Sequence, residues 1–272
     1  MPLAYYSVAA RREFWTEHWG GHSADALLRI ARESPLTALI TGALPAGGVV
    51  LEAGCGLGQY VRLLRERGWR AAGVDWSLEA LRAGRAADPA TPLVVGDLQQ
   101  LGVRSDALDA YVSLGVVEHD PGGPDAILGE ARRVLRHGGV LVVSVPYVNG
   151  VRRAALWWIR RRNRRIHDAG GEFYQFAFSR GEAAAFVERN GFRVVRATPY
   201  DPARVLRKGL SAVRRLIQPG AASPVRDRLP AGARPDTGHG LHGPRRAVRR
   251  LLYTGPALHA FGHMILLVAV KR

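Results

Sequence analysis

The chain has 272 residues, 47% of them hydrophobic, enough for one sizeable α/β domain with embellishments or for a domain and a small lid. Its one cysteine, Cys55, excludes an internal disulfide and a cysteine-cluster metal site, and its longest uncharged apolar run, Met264 to Val270, is too short for a transmembrane helix. Lys and Arg number 39 against 23 Asp and Glu, a net charge of +16 that must meet something anionic or cost self-repulsion.

In chain order, residues 1–23 are aromatic and irregular, with Tyr5, Tyr6, Phe14, Trp15 and Trp19. Leu27, Ile30, Ala31, Leu36, Leu39 and Ile40 give a rough 3.6-residue period, which predicts a helix over 24–42 ended at Pro45. A short buried strand over 49–53 leads into a glycine-rich turn and a helix from about Tyr60 to Arg67. A second strand runs from Arg70 to Val74, and Ser77 caps a helix to about Ala86. Pro92 to Val95 and Ala107 to Ser113 read as the third and fourth strands. A helix over about 123–136 is expected to stop at Gly138-Gly139, before a fifth strand from Val140 to Pro146. Ser179 and Glu182 have capping-box spacing ahead of a helix stopped by Gly191, then a strand over 192–197 and a last one over 261–270. Strands alternating with helices at this spacing predict a parallel sheet covered on both faces.

The chain therefore divides into an N-terminal aromatic and helical cap, residues 1–46, and an α/β domain, 47–272, with inserts at 147–178 and 200–259. The charge is not spread evenly. Residues 1–150 hold 14 basic and 16 acidic side chains, whereas residues 151–260 hold 23 and 7. Val151 to Arg165 carries seven arginines around Leu156, Trp157, Trp158 and Ile159. Residues 203–218 place Leu206, Leu210, Val213 and Ile217 at helical spacing among basic residues, and residues 244–253 repeat the style. Basic amphipathic helices with Trp suit an anionic membrane surface or a lipid-linked acceptor; the same stripes also suit a lid packed on the core. Arginines that track phosphates are a third option, although no RNA-binding module is recognisable. Residues 1–10 lack a basic region followed by an apolar stretch, so the expected placement is cytoplasmic, with a peripheral position on the inner face of the membrane as an option.

Glu52-Ala-Gly54-Cys55-Gly56-Leu-Gly58 lies between a strand and a helix, where glycines let the backbone approach a ligand and point amides at it. The dinucleotide fingerprint G-x-G-x-x-G would need a third glycine where Gln59 stands. Asp75 ends the second strand, where a carboxylate can accept hydrogen bonds from both ribose hydroxyls. Asp97 follows the third strand and can reach an adenine amino group, or can cap its own turn.

Together, Glu52 to Gly58, Gly73-Val-Asp75-Trp76-Ser77, Gly96-Asp97-Leu98, the segment Leu108 to His119 and Arg133-Val-Leu-Arg-His-Gly-Gly139 resemble the class I S-adenosylmethionine-dependent methyltransferases. The resemblance covers residues 47–146 closely and returns at 173–199 and 262–271. It implies a Rossmann-like, doubly wound, seven-stranded sheet, mostly parallel with an antiparallel last strand, and S-adenosylmethionine as cofactor. By the same resemblance Glu52 belongs to the cofactor turn and Gly54, Gly56 and Gly58 line the methionine part. Asp75 binds the ribose, Trp76, Asp97 and Leu98 meet the adenine, and Leu114 and Gly115 border the cofactor. Cys55, inside that turn, is a small packing residue rather than a nucleophile.

A sulfonium methyl is already activated, so alignment and water exclusion do most of the work, and a hydroxyl acceptor gains from a general base. His119, after the fourth strand, is the candidate base; Tyr147, Tyr174 and His167 are the reserves. Ubiquinone-pathway O-methyltransferases resemble this region with E-x-x-E-H, whose two Glu and one His can hold a metal. Here Gly115 takes the first Glu position, and no metal is expected. His239, His242, His259 and His263 lie on or beside a glycine- and proline-rich loop. The leading reading is methyl transfer to a small-molecule or lipid-linked acceptor, at oxygen. The alternatives are an RNA methyltransferase, a nicotinamide-dependent oxidoreductase and a non-catalytic partner protein built on the cofactor fold.

Overall fold

A computed structural model describes residues 1–7, 22–202, 204 and 251–272. The expectations for Phe14, Trp15, Trp19, the amphipathic stretch 203–218, most of 244–253, and His239 and His242 lie outside the described residues.

The described strands are β1 (Leu3–Ser7), β2 (Val49–Ala53), β3 (Arg70–Asp75), β4 (Leu93–Val95), β5 (Leu108–Leu114), β6 (Leu135–Pro146), β7 (Glu172–Ala177), β8 (Phe192–Tyr200) and β9 (Met264–Lys271). The described helices are α1 (Ala24–Glu33), α2 (Pro35–Thr41), α3 (Gln59–Glu66), α4 (Leu78–Ala87), α5 (Asp125–Val134), α6 (Gly150–Ala154), α7 (Leu156–Asp168), α8 (Arg180–Arg189) and α9 (Gly255–Phe261). Seven strands form one sheet in the order β4-β3-β2-β5-β6-β9-β8. The pairs β3–β4, β2–β3, β2–β5 and β5–β6 are parallel, while β9 runs antiparallel between β6 and β8. This is the expected Rossmann-like, doubly wound arrangement with its antiparallel last strand.

Each strand residue chooses a face by its parity. Val50, Val112, Val142 and Leu266 pack with Leu28, Ile40, Val61 and Leu64 from α1, α2 and α3. Leu51, Tyr111, Leu141, Val143 and Leu267 pack with Leu128 and Ala131 of α5 and Phe186 and Val187 of α8 on the other face. The all-apolar runs of β6 and β9 follow from burial on both sides. The chain moves outward from β2 to β4, then crosses back to β5. That reversal opens a crevice at the carboxyl ends of β2 and β5.

Four local expectations are corrected. The helix over 24–42 is two helices: Pro35 has no N–H to continue the ladder, and Ser34 caps α2 by accepting from the Leu36 amide at 3.2 Å. The helix over 123–136 ends at Val134, because Leu135 is already extended; Gly138 and Gly139 lie inside β6. The last strand starts at Met264, since Gly255–Phe261 is helical with Pro256 in its first turn. Part of the irregular N-terminus is a strand. β1 pairs antiparallel with β7, so the first insert contributes a strand as well as helices. Tyr5, Tyr6, Phe173, Tyr174 and Phe176 supply the aromatic surface that such a pairing favours. Among the described residues, no helix is long and apolar enough to cross a membrane.

Candidate active site

A cavity of about 350 Å³ opens at the crevice, lined by residues from every strand end around it. Eight of the residues expected from the sequence line it: Glu52, Gly54, Asp75, Trp76, Leu98, Leu114, Gly115 and His119. The polar end begins at Glu52. Its Oε2 accepts from the Val61 amide at 3.1 Å, tying β2 to α3, and burial pushes its carboxyl up to about 8. Asp75 is buried at the end of β3; its Oδ2 accepts from the Gly56 amide at 2.8 Å and its Oδ1 from the Ser77 amide at 2.9 Å. Burial raises its carboxyl above the usual range, and those amides pull it back. Gln59 Oε1 is buried with no hydrogen-bond partner among the described residues.

The turn has no room for side chains at the critical point. A Cβ on Gly54, whose φ is +77°, would lie 2.4 Å from Val116 Cγ2. Gly56 serves the site by donating to Asp75, while Gly58 caps α3. Neither lines the cavity. Cys55 is buried against Gly73, outside the lining; burial raises its thiol well above the ordinary value, which fits a packing residue and not a nucleophile. Asp97 is exposed and accepts from the Gln99 amide at 2.9 Å, so the structure places it as a turn cap beside Leu98 and not in the cavity wall.

The other end of the cavity is built on the turn after β5. His119 Nδ1 lies 2.7 Å from the Tyr174 carbonyl oxygen of β7, which can only accept, so Nδ1 carries the proton and Nε2 the lone pair. The ring packs edge-on against Tyr174 at 5.2 Å, and burial lowers its pKa, keeping the imidazole neutral at pH 7. The neighbouring Glu118 is fully buried, with Oε1 4.0 Å from His119 Nε2 and no hydrogen bond to Oε2 among the described residues. Burial pushes that carboxyl up to about 8. Gly115 leaves the space above it open: a Cβ there would lie 3.6 Å from Glu118 Oε1. Tyr200 donates its hydroxyl to Ser144 Oγ at 3.1 Å on the facing wall.

Leu36, Gln59, Tyr60, Val116, Ser144, Tyr200 and Met264 also line the cavity and were not expected from the sequence. Ser144, a lone hydroxyl inside the apolar run of β6, is the one whose pattern could have marked it. Of the reserve bases, His167 is exposed on α7, and Tyr147 contacts His259 Nδ1 at 3.4 Å. Tyr174 serves through its backbone. His263 Nδ1 lies 2.9 Å from Arg152 Nη2. No cluster of three His, Cys, Asp or Glu that could hold a metal ion occurs among the described residues.

The residues present fit S-adenosylmethionine. The unpartnered Gln59 oxygen and the buried Glu52 carboxyl offer acceptors to an ammonium, and Trp76 and Leu98 offer apolar walls to a base. Residues 51–143 match the model of a methyltransferase domain family. The malonyl-[acyl-carrier protein] O-methyltransferase of Serratia marcescens is 34% identical over 122 residues, covering 45% of this chain and 48% of that one. The protein of the same name from Salmonella typhimurium is 36% identical over 123 residues, covering 45% and 44%. The matched region thus spans less than half the length of each relative. A solved SAM-dependent methyltransferase from Archaeoglobus fulgidus, 15% identical, superposes with a TM-score of 0.57 over 96% of this chain and all of that one, which shows the common fold. Residues 51–143 of this chain therefore form a methyltransferase domain of that family, on a fold shared with solved SAM-dependent methyltransferases.

Proposed function

We propose that this protein transfers a methyl group from S-adenosylmethionine to an oxygen of a small-molecule or lipid-linked acceptor, with His119 as general base. The observation that carries the reading is one cavity holding buried carboxyl groups at one end and, at the other, a neutral imidazole of defined tautomer. The relatives named malonyl-[acyl-carrier protein] O-methyltransferases support oxygen as the accepting atom and an acceptor carried on a larger group.

The cofactor, when bound, supplies a sulfonium-activated methyl group. Glu52, Gln59 and Asp75 would hold its cationic and ribose parts and so orient the methyl group. Leu114, Val116, Met264 and Leu36 keep water from the reacting atoms. His119 Nε2 would take the proton of the acceptor hydroxyl as that oxygen accepts the methyl group, the cofactor leaving as the neutral thioether. Glu118 Oε1, 4.0 Å from Nε2, lies beside the imidazolium formed in this step.

The test is transfer of labelled methyl from the cofactor into candidate acceptors: lipid extracts, glycans, carrier-linked acids and RNA. His119→Ala is expected to lower turnover by roughly 10²–10⁴ with cofactor affinity unchanged. Wild-type turnover is expected to rise with pH through a value below the ordinary 6.5 of histidine and then stay level, since burial lowers the His119 pKa. Retained turnover in the variant would assign the chemistry to alignment alone.

A further inference from the structure

Among the described residues, two of the exposed large apolar side chains are neighbours. Trp157 is 72% exposed and Trp158 59% exposed, side by side in the first turn of α7. The helix is anchored by its other face. Leu156, Ile159 and Ile166 are half-buried, Asn163 is buried, and Asn163 Nδ2 donates to the Ala4 carbonyl of β1 at 2.8 Å. The outward face that remains is Trp157, Trp158, Arg161, Arg164 and Arg165, all exposed. Arg161 stacks over the Trp157 ring at 5.8 Å from its centroid. Residues 150–168 hold seven arginines and one acid, Asp168, and none of those arginines pairs with a carboxylate among the described residues.

This face is linked to the acceptor end of the cavity through two strands. α7 packs on β1, β1 pairs with β7, and the Tyr174 carbonyl of β7 orients His119. Whatever binds α7 therefore sits on a rigid path to the candidate base.

We propose that the outward face of α7 is a docking surface for an anionic lipid bilayer, which presents the acceptor to the cavity. The inference rests on the methyltransferase reading and deepens it by committing the acceptor to a lipid-linked one. Two features favour a bilayer over a folded partner. The adjacent rings stand out from a convex helix, so a protein would need a matching pocket for each, whereas the headgroup region accepts amphipathic rings at its own depth. The arginines flank the rings in unpaired rows, as attraction to a diffuse negative surface requires.

The test is co-sedimentation of the full chain with phosphatidylcholine vesicles, with and without phosphatidylglycerol, at low and high salt. Binding is expected only with phosphatidylglycerol, partly reversed by salt, and with a blue shift of tryptophan fluorescence. Trp157→Ala with Trp158→Ala is expected to remove the salt-resistant fraction. Arg161→Glu with Arg165→Glu is expected to weaken binding roughly tenfold or more. All four side chains are exposed, so these variants keep the fold, and cofactor binding followed by calorimetry is expected to stay at the wild-type value. Equal binding to neutral and anionic vesicles, or wild-type binding by both pairs of variants, would overturn the proposal. So would these variants losing an RNA or an acidic protein while keeping vesicles. Vesicle binding is read without any methyl transfer, so its failure is separable from failure of the methyltransferase reading.

Discussion

At the scale of single residues, the site depends on carboxyls kept in an environment that disfavours their charge. Glu52 is the plainest case. Its ordinary value of 4.5 rises to about 8 in the folded protein because burial penalises the anion. A raised folded value means that the folded state holds the proton more tightly. The stability contributed by Glu52 is therefore complete below pH 4.5 and lost as pH rises through about 8. Glu52→Gln keeps an acceptor for the Val61 amide and removes the charge. In the absence of cofactor the variant is expected to be more stable than wild type at neutral pH by ~1 kcal/mol or more, with a flatter stability–pH curve, in denaturant melts. Its cofactor affinity is expected to fall by roughly tenfold, the loss of one charge-assisted contact. Glu52, Asp75 and His119 stood out in the sequence because each is a polar group at, or a few residues beyond, the end of an apolar strand. Tyr200 and Met264 were not, because strands distant in sequence bring them to the cavity and nothing in their own neighbourhoods marks them; Ser144 carried only the weak mark of a lone hydroxyl in an apolar run. Asp97 was legible as two alternatives, and its exposure and its bond to the Gln99 amide favour the turn cap.

Elements of the main sheet could be read from periodicity and glycine, since strands buried on both faces become continuous apolar runs. The capping box at Ser179 and Glu182 is present with both of its bonds. Misreadings came where two signals competed. The apolar stripe across residues 24–42 is continuous, yet Pro35 breaks the backbone ladder beneath it. The pairing of β1 with β7 joins segments more than 160 residues apart, and no local pattern announces a partner at that distance. This pairing has a functional consequence. β1 braces β7, and β7 supplies the carbonyl that sets the His119 tautomer. Removing residues 1–7 is expected to lower turnover by ~10²-fold through misplacement of the base, while the cofactor dissociation constant changes little. Equal losses in turnover and cofactor affinity would show that β1 instead supports the whole cavity.

At the scale of the whole molecule, two halves of opposite character meet at the crevice. The amino-terminal half supplies the cofactor end from β2, β3 and β5. The basic carboxy-terminal half supplies β8, β9 and the arginine-rich α7 face. The central claim is that the cavity at the β2–β5 crossover binds S-adenosylmethionine through buried carboxyls. The most direct measurement is isothermal titration calorimetry of the purified chain with S-adenosylmethionine and, in parallel, with NAD, each at pH 7 in buffers of differing ionisation enthalpy. A single site for S-adenosylmethionine is expected, with proton release on binding as Glu52 ionises beside the incoming cation, and no site for NAD. Binding of NAD in place of S-adenosylmethionine, or saturable binding of S-adenosylmethionine that is unchanged by Glu52→Gln and Asp75→Asn, would contradict it.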